Sequence, residues 1–175
     1  MDDFKRAVVD DLPLARAPHP GWVTPPKGVY KINVDRATSN DGRNFGIGVI
    51  IRNDRGQQIA ALCKILQAQY SVELVEAIAM EHGVLLAQEM ECSYVIFGVN
   101  SLSVIQAIND SNTSSDYDHI VREIQLARAS FASCSFHHLK RDYNKVAHEL
   151  AKHANRCNST HVWKGVTHLL LLWRL

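Results

Sequence analysis

The chain has 175 residues, 46% hydrophobic and 21% charged, the size and make-up of one ordinary globular domain with a sizeable core. Its 19 basic and 18 acidic residues leave a net charge of +1, which excludes a global basic field for nucleic acid, so any such surface must be local. The apolar run Leu169–Trp173 is five residues long, against the roughly 20 needed to span a bilayer, and Met1-Asp2-Asp3-Phe4-Lys5 has no apolar core of a secretory signal. These features predict an intracellular protein with no membrane partner, in the nucleus or the cytoplasm, because no clear basic targeting run is visible.

All five prolines, Pro13, Pro18, Pro20, Pro25 and Pro26, fall in one short stretch. That stretch reads as an extended arm over residues 1–27, leading into a folded body at 28–158. Tyr30, Ile32 and Val34 alternate with Lys31, Asn33 and Asp35, the period of a strand, which Asp35 is expected to end on its polar face. Phe45 to Asn53 reads as a second strand, Asp54-Arg55-Gly56 as a tight turn and Gln57 to Leu66 as a third, making an antiparallel meander. Apolar residues then recur every three to four positions from Val72 to Met90, predicting a helix with Ser71 as its N-cap.

Tyr94 to Val99 suits a buried strand, followed by a helix from Leu102 to Ile108 and a polar loop over Ser111-Asn112-Thr113-Ser114-Ser115. A helix from Asp118 to Phe131, a strand from Cys134 to Lys140 and an amphipathic helix from Asn144 to Cys157 complete the body. The order implies an α/β fold with a mixed sheet, three antiparallel strands followed by two parallel ones reached through crossover helices. The tail over residues 159–175 is apolar, with Leu169-Leu170-Leu171-Leu172-Trp173 as a segment that packs on the domain or self-associates.

Adjacent parallel strands would bring Asp35 and the residue leaving the strand Tyr94–Val99 to one sheet edge, the usual place for a site in α/β folds. Glu76, on the early turns of the preceding helix, points to the same place, giving two carboxylates able to share a hard cation such as magnesium. The other reading makes Asp35 a turn residue and sets Glu73 and Glu76 at the positive end of a helix dipole. Cys63, Cys92, Cys134 and Cys157 form no Cys-x-x-Cys pair and read as reduced thiols. His137-His138 alternate across a strand, and His148 and His153 are five apart on a helix, so neither pair converges on zinc. Gly46-x-Gly48 lies in a hairpin strand, the wrong context for a dinucleotide loop.

Several ordered blocks carry a family resemblance: Trp22 with Pro25-Pro26 before Lys31-Ile32-Asn33-Val34-Asp35; Gly46-Ile47-Gly48-Val49-Ile50-Ile51-Arg52-Asn53; Glu76-Ala77-Ile78-Ala79; Asn100-Ser101-Leu102; and Arg141-Asp142-Tyr143-Asn144-Lys145-Val146-Ala147-His148-Glu149-Leu150-Ala151-Lys152. From Trp22 to Cys157 the chain resembles the ribonuclease H-like domain of plants, the type related to the ribonuclease H segment of non-LTR retrotransposons. The resemblance implies a five-stranded mixed sheet flanked by helices. It also implies cleavage of the RNA strand of RNA/DNA hybrids by acidic residues that hold two magnesium (or manganese) ions. By motif position, Asp35 and Glu76 are the metal ligands, and Asn100 and His148 stand at the other two catalytic positions.

Asn100 departs from the family's acid, since an amide brings no negative charge. A unit charge at about 4 Å and an effective dielectric near 20 is worth on the order of 4 kcal/mol, roughly a thousandfold in metal affinity. Arg36 stands where the family has glycine and is expected to compete for the Asp35 carboxylate. Glu149 cannot replace the missing ligand, because a helix turns about 100° per residue. From His137 to Arg156 five cations face two acids, a local net of +3, and Lys140, Arg141 and Asn144 are the expected substrate contacts. The expected function is a nucleic-acid-binding ribonuclease H-like protein with weakened hydrolysis. The alternative is a catalytically silent module for nucleic-acid or protein binding.

Overall fold

The computed structural model describes residues 22–110 and 114–165, so residues 1–21 of the expected arm, the first part of the polar loop at 111–113 and the run Leu169–Trp173 lie outside the described residues. In chain order the elements are β1 (Tyr30–Thr38), β2 (Phe45–Arg52), β3 (Gln58–Leu66), α1 (Val72–Glu89), β4 (Tyr94–Val99), α2 (Leu102–Asn109), α3 (Asp118–Arg128), β5 (Ser133–His138), a 3-10 turn (Arg141–Tyr143), α4 (Lys145–Cys157) and β6 (His161–Lys164). The sheet order is β5-β4-β1-β2-β3-β6. β1, β2 and β3 form the expected antiparallel meander, and β4 and β5 run parallel beside β1.

Two expectations are corrected. The sheet has six strands rather than five, because the tail returns along β3, with Ala60 opposite Lys164 and Cys63 opposite His161. Asn158 makes that return possible: it closes α4 with φ 45° and ψ 45°, the left-handed conformation that asparagine tolerates and that reverses a chain. In addition, β1 does not end at Asp35. It continues through Arg36, Ala37 and Thr38, which pair with Ile47, Gly46 and Phe45, so Asp35 sits within a strand, opposite Gly48.

Alternation along β1 divides the molecule into two layers. Ile32 and Val34 join Ile47, Val49, Ile51, Met80, Phe97 and Ile124 in the main core beneath α1, α2 and α3. The opposite face carries Ile50, Ala61 and Cys63 against Ala147, Leu150 and Ala154 of α4. There α4 lies on the backbone of β2: a Cβ on Gly46 would stand 1.9 Å from the Ala151 carbonyl oxygen, and one on Gly48 1.9 Å from that of Ala147. The two glycines therefore serve close helix packing. Among the described residues no helix is long and apolar enough to cross a membrane.

The Gly48 contact is with backbone and cannot yield by a rotamer change. Gly48→Ala is therefore expected to destabilise the fold by about 3 kcal/mol or more, read as a lower midpoint in urea unfolding. On α1, burial and then the nearby Lys64 charge push the His82 imidazole down to about 4. The neutral ring favours the fold above the unfolded value of about 6.5, and that contribution is lost as pH falls from 6.5 towards 4. Thermal melts should show this acid loss reduced in His82→Gln.

Candidate functional site

The parallel register of β1 and β4 pairs Val34 with Val99, so the next residues, Asp35 and Asn100, emerge side by side where β4 gives way to α2. Ser101 starts α2 there, its Oγ accepting from the Val104 N–H. Glu76 arrives from α1, which Ser71 caps through the Leu74 N–H. Val34, Asp35, Arg36, Glu76, Ala79, Val99, Asn100 and Ser101 line one small cleft. His148 reaches it from α4, its Nδ1 lying 3.1 Å from Asp35 Oδ2. Three of the four motif positions named from the sequence thus line one cleft, and the fourth, His148, is joined to it through Asp35.

Asp35 is 8% exposed. Burial raises its pKa, and the opposing influences are the Arg36 N–H donated to Oδ1 at 2.8 Å, the charge and hydrogen bond of His148, and the more distant charge of Arg141. The side chain of Arg36 does not contest this carboxylate, contrary to the sequence reading. Neighbours on a strand point to opposite faces, and Arg36 turns towards α1, pairing with Glu76 Oε1 at 3.4 Å and donating to Thr38 Oγ1 at 3.1 Å. It engages the second acid instead of the first.

Asn100 belongs to a chain of amides. Asn144 Nδ2 donates to its Oδ1 at 3.3 Å and to the Val34 carbonyl at 2.7 Å. Asn33 donates in turn to Asn144 Oδ1 at 3.0 Å, and Trp22 Nε1 to Asn33 Oδ1 at 3.2 Å. His138 Nε2 lies 3.0 Å from the Asn100 carbonyl. Of the expected substrate contacts, Lys140 is exposed just before the 3-10 turn and Arg141 at its first position. Asn144 is 1% exposed, with its amide engaged as above. Sequence reasoning missed Asn33 and Trp22 as parts of this network. The period of two already set Asn33 on the face of Asp35, and a polar residue beneath a packed helix signals a buried hydrogen bond.

The donor set does not fit a two-metal centre. Asp35 is engaged by His148, Glu76 by Arg36, and the third position offers an uncharged amide. Among the described residues no three His, Cys, Asp or Glu side chains cluster so as to hold a metal ion. The four cysteines are free, and burial pushes Cys92 up to about 11 and Cys134 to about 12, which keeps both as inert thiols.

A carboxyl whose folded pKa lies above its unfolded value favours folding only while protonated. The penalty appears as pH rises past the unfolded value of about 3.9 and is complete above the raised folded value. Asp35→Asn should therefore melt at a higher temperature than the unchanged chain at pH 7, with the gain vanishing towards pH 3.

Comparison with known proteins places this arrangement. The reverse transcriptase-like family model matches residues 33–154. No curated protein matches in sequence. Among solved structures, ribonuclease H1 of the halophilic archaeon Halobacterium salinarum aligns with a TM-score of 0.66 at 15% identity, covering 75% of this chain and 99% of its own. LC11-RNase H1, isolated from compost and solved with an RNA/DNA hybrid, gives 0.64 at 17% identity, covering 74% and 99%. The foamy viral protease-reverse transcriptase, solved with double-stranded DNA, gives 0.58 at 13% identity, covering 74% and 94%. With Asp35, Glu76, Asn100 and His148 gathered at one sheet edge and the family match spanning most of the folded body, the chain belongs to the reverse transcriptase-like family and has the ribonuclease H-like fold.

Proposed function

We propose that this protein binds RNA/DNA hybrid along the face that carries Asp35, Glu76, Asn100 and His148, and that hydrolysis of the RNA strand is weakened so far that binding outlasts cleavage. The observation that carries this reading is the donor set: of the four positions only two are acids, and each already has a partner, Asp35 with His148 and Glu76 with Arg36. Magnesium or manganese, as the family implies, would meet a site lacking the third negative charge, and its binding would be weak. Family membership supports the nucleic-acid target, as does the hybrid bound to LC11-RNase H1. Exposed Lys140 and Arg141 would meet phosphates and set position without reading sequence.

The Arg36–Glu76 ion pair favours a second reading, a module with no cleavage at all, since the pair must break before Glu76 can act. One experiment separates the two. Hybrid binding and cleavage of end-labelled RNA in the hybrid are measured in magnesium and in manganese for the unchanged chain, Asn100→Asp and Asp35→Asn. The proposal expects binding by all three, slow cleavage by the unchanged chain, cleavage about a thousandfold faster in Asn100→Asp, and none in Asp35→Asn. Binding with no cleavage by the unchanged chain selects the silent module. Failure to bind hybrid, or a rate equal to that of Asn100→Asp, overturns the proposal.

A further inference from the structure

Lys31 and Arg52 stand directly opposite one another in the β1–β2 register. Like charges so placed destabilise an antiparallel pair. Trp22 lies against both, with Lys31 Nζ 5.3 Å and Arg52 Cζ 4.8 Å from its ring centroid. Lys31 also donates to the Val23 carbonyl at 3.1 Å. The half-buried Arg52 guanidinium has no ion pair and donates no hydrogen bond among the described residues. Nearby Asp54 is engaged, accepting from the Gly28 N–H at 2.6 Å. Burial pulls the pKa of both cations down, and the Arg52 charge adds to the effect on Lys31.

This charge, met among the described residues by the Trp22 ring alone, opens into a cavity of about 550 Å³, lined by Trp22, Arg52, Ile50, Tyr143, Lys145 and Val146 among others. The volume is within the range of small-molecule sites. Asp142 also lines it, exposed, as does the cation of Lys145. An unpaired guanidinium presents a planar fork of donors that suits phosphate, and the aromatic and aliphatic walls suit a flat ring beside it. We infer that this cavity is a nucleotide site, with the phosphate on Arg52 and the base against the Trp22, Tyr143 and Ile50 wall. It adjoins the Asp35 cleft through Asn33 and Asn144, which line it and whose hydrogen bonds lead on to Asn100, but the assignment does not depend on the hybrid-binding reading. Occupancy by an anion would relieve the Lys31–Arg52 repulsion.

The test is calorimetric titration of the full chain with adenosine 5′-monophosphate, adenosine, inorganic phosphate and acetate. Saturable binding of the monophosphate is expected, at least tenfold tighter than that of the other three. Arg52→Gln, with its fold checked by circular dichroism, should weaken the monophosphate at least tenfold. Should Arg52→Gln not fold, Arg52→Lys carries the test: charge is kept and the fork lost, so binding should fall at least threefold. Phosphate as tight as the monophosphate would reduce the site to a simple anion pocket and overturn the nucleotide assignment. So would acetate as tight as phosphate, no saturable binding, or unchanged affinity in the folded Arg52 variant.

Discussion

The carbonyl oxygens of Ala147 and Ala151 lie where the side chains of Gly48 and Gly46 would begin, and the site depends on that contact. A helix resting on a strand backbone has almost no freedom to roll or lift. The small stripe Ala147, Ala151 and Ala154 lets it sit this close, and Leu150 fills the space beside it. Gly48 is also the register partner of Asp35. The residue that lets α4 approach therefore sits across from the carboxylate that α4 must serve, and His148, one position after Ala147, is delivered to Asp35 as a consequence.

At the start of α4 the buried amides are satisfied in series. Asn144 is the junction, holding the Val34 carbonyl, Asn33 and Asn100 with one amide. Such a network is costly when incomplete and rigid when complete. It anchors the start of α4 to β1 and to the end of β4, so the strand register and the helix position are fixed together. The buried carboxylate of Asp35 is held against its desolvation by the Arg36 N–H and His148. That cost of burial is set against a total stability of about 5–15 kcal/mol.

Much of this was legible in the sequence. Periodicity located the three antiparallel strands, the long helix and the parallel strand at Tyr94–Val99, because each buries one face and the pattern of burial is written in side-chain type. The meeting of Asp35, Glu76 and Asn100 followed from strand adjacency. What escaped was governed by tertiary pairing. The end of β1 could not be read, because Arg36 to Thr38 are held by β2 and not by their own pattern. The sixth strand is only four residues, too short for a period to stand out, and its existence depends on the open edge of β3. The direction of Arg36 was misjudged by treating sequence neighbours as spatial neighbours, where the pleat sends them apart.

The sixth strand also changes how the molecule behaves in company. Without it β3, a nine-residue strand, would present a long row of free backbone donors and acceptors, a template for another chain. With His161–Lys164 in place the outer strands among the described residues are β6, four residues long, and β5, six residues long and ending in His137 and His138. Short rims carrying imidazole and ammonium groups are poor templates for edge-to-edge growth. The turn at Asn158 thus does more than finish a sheet: it takes Ala60 to Cys63, the middle of that long edge, out of reach of neighbouring chains.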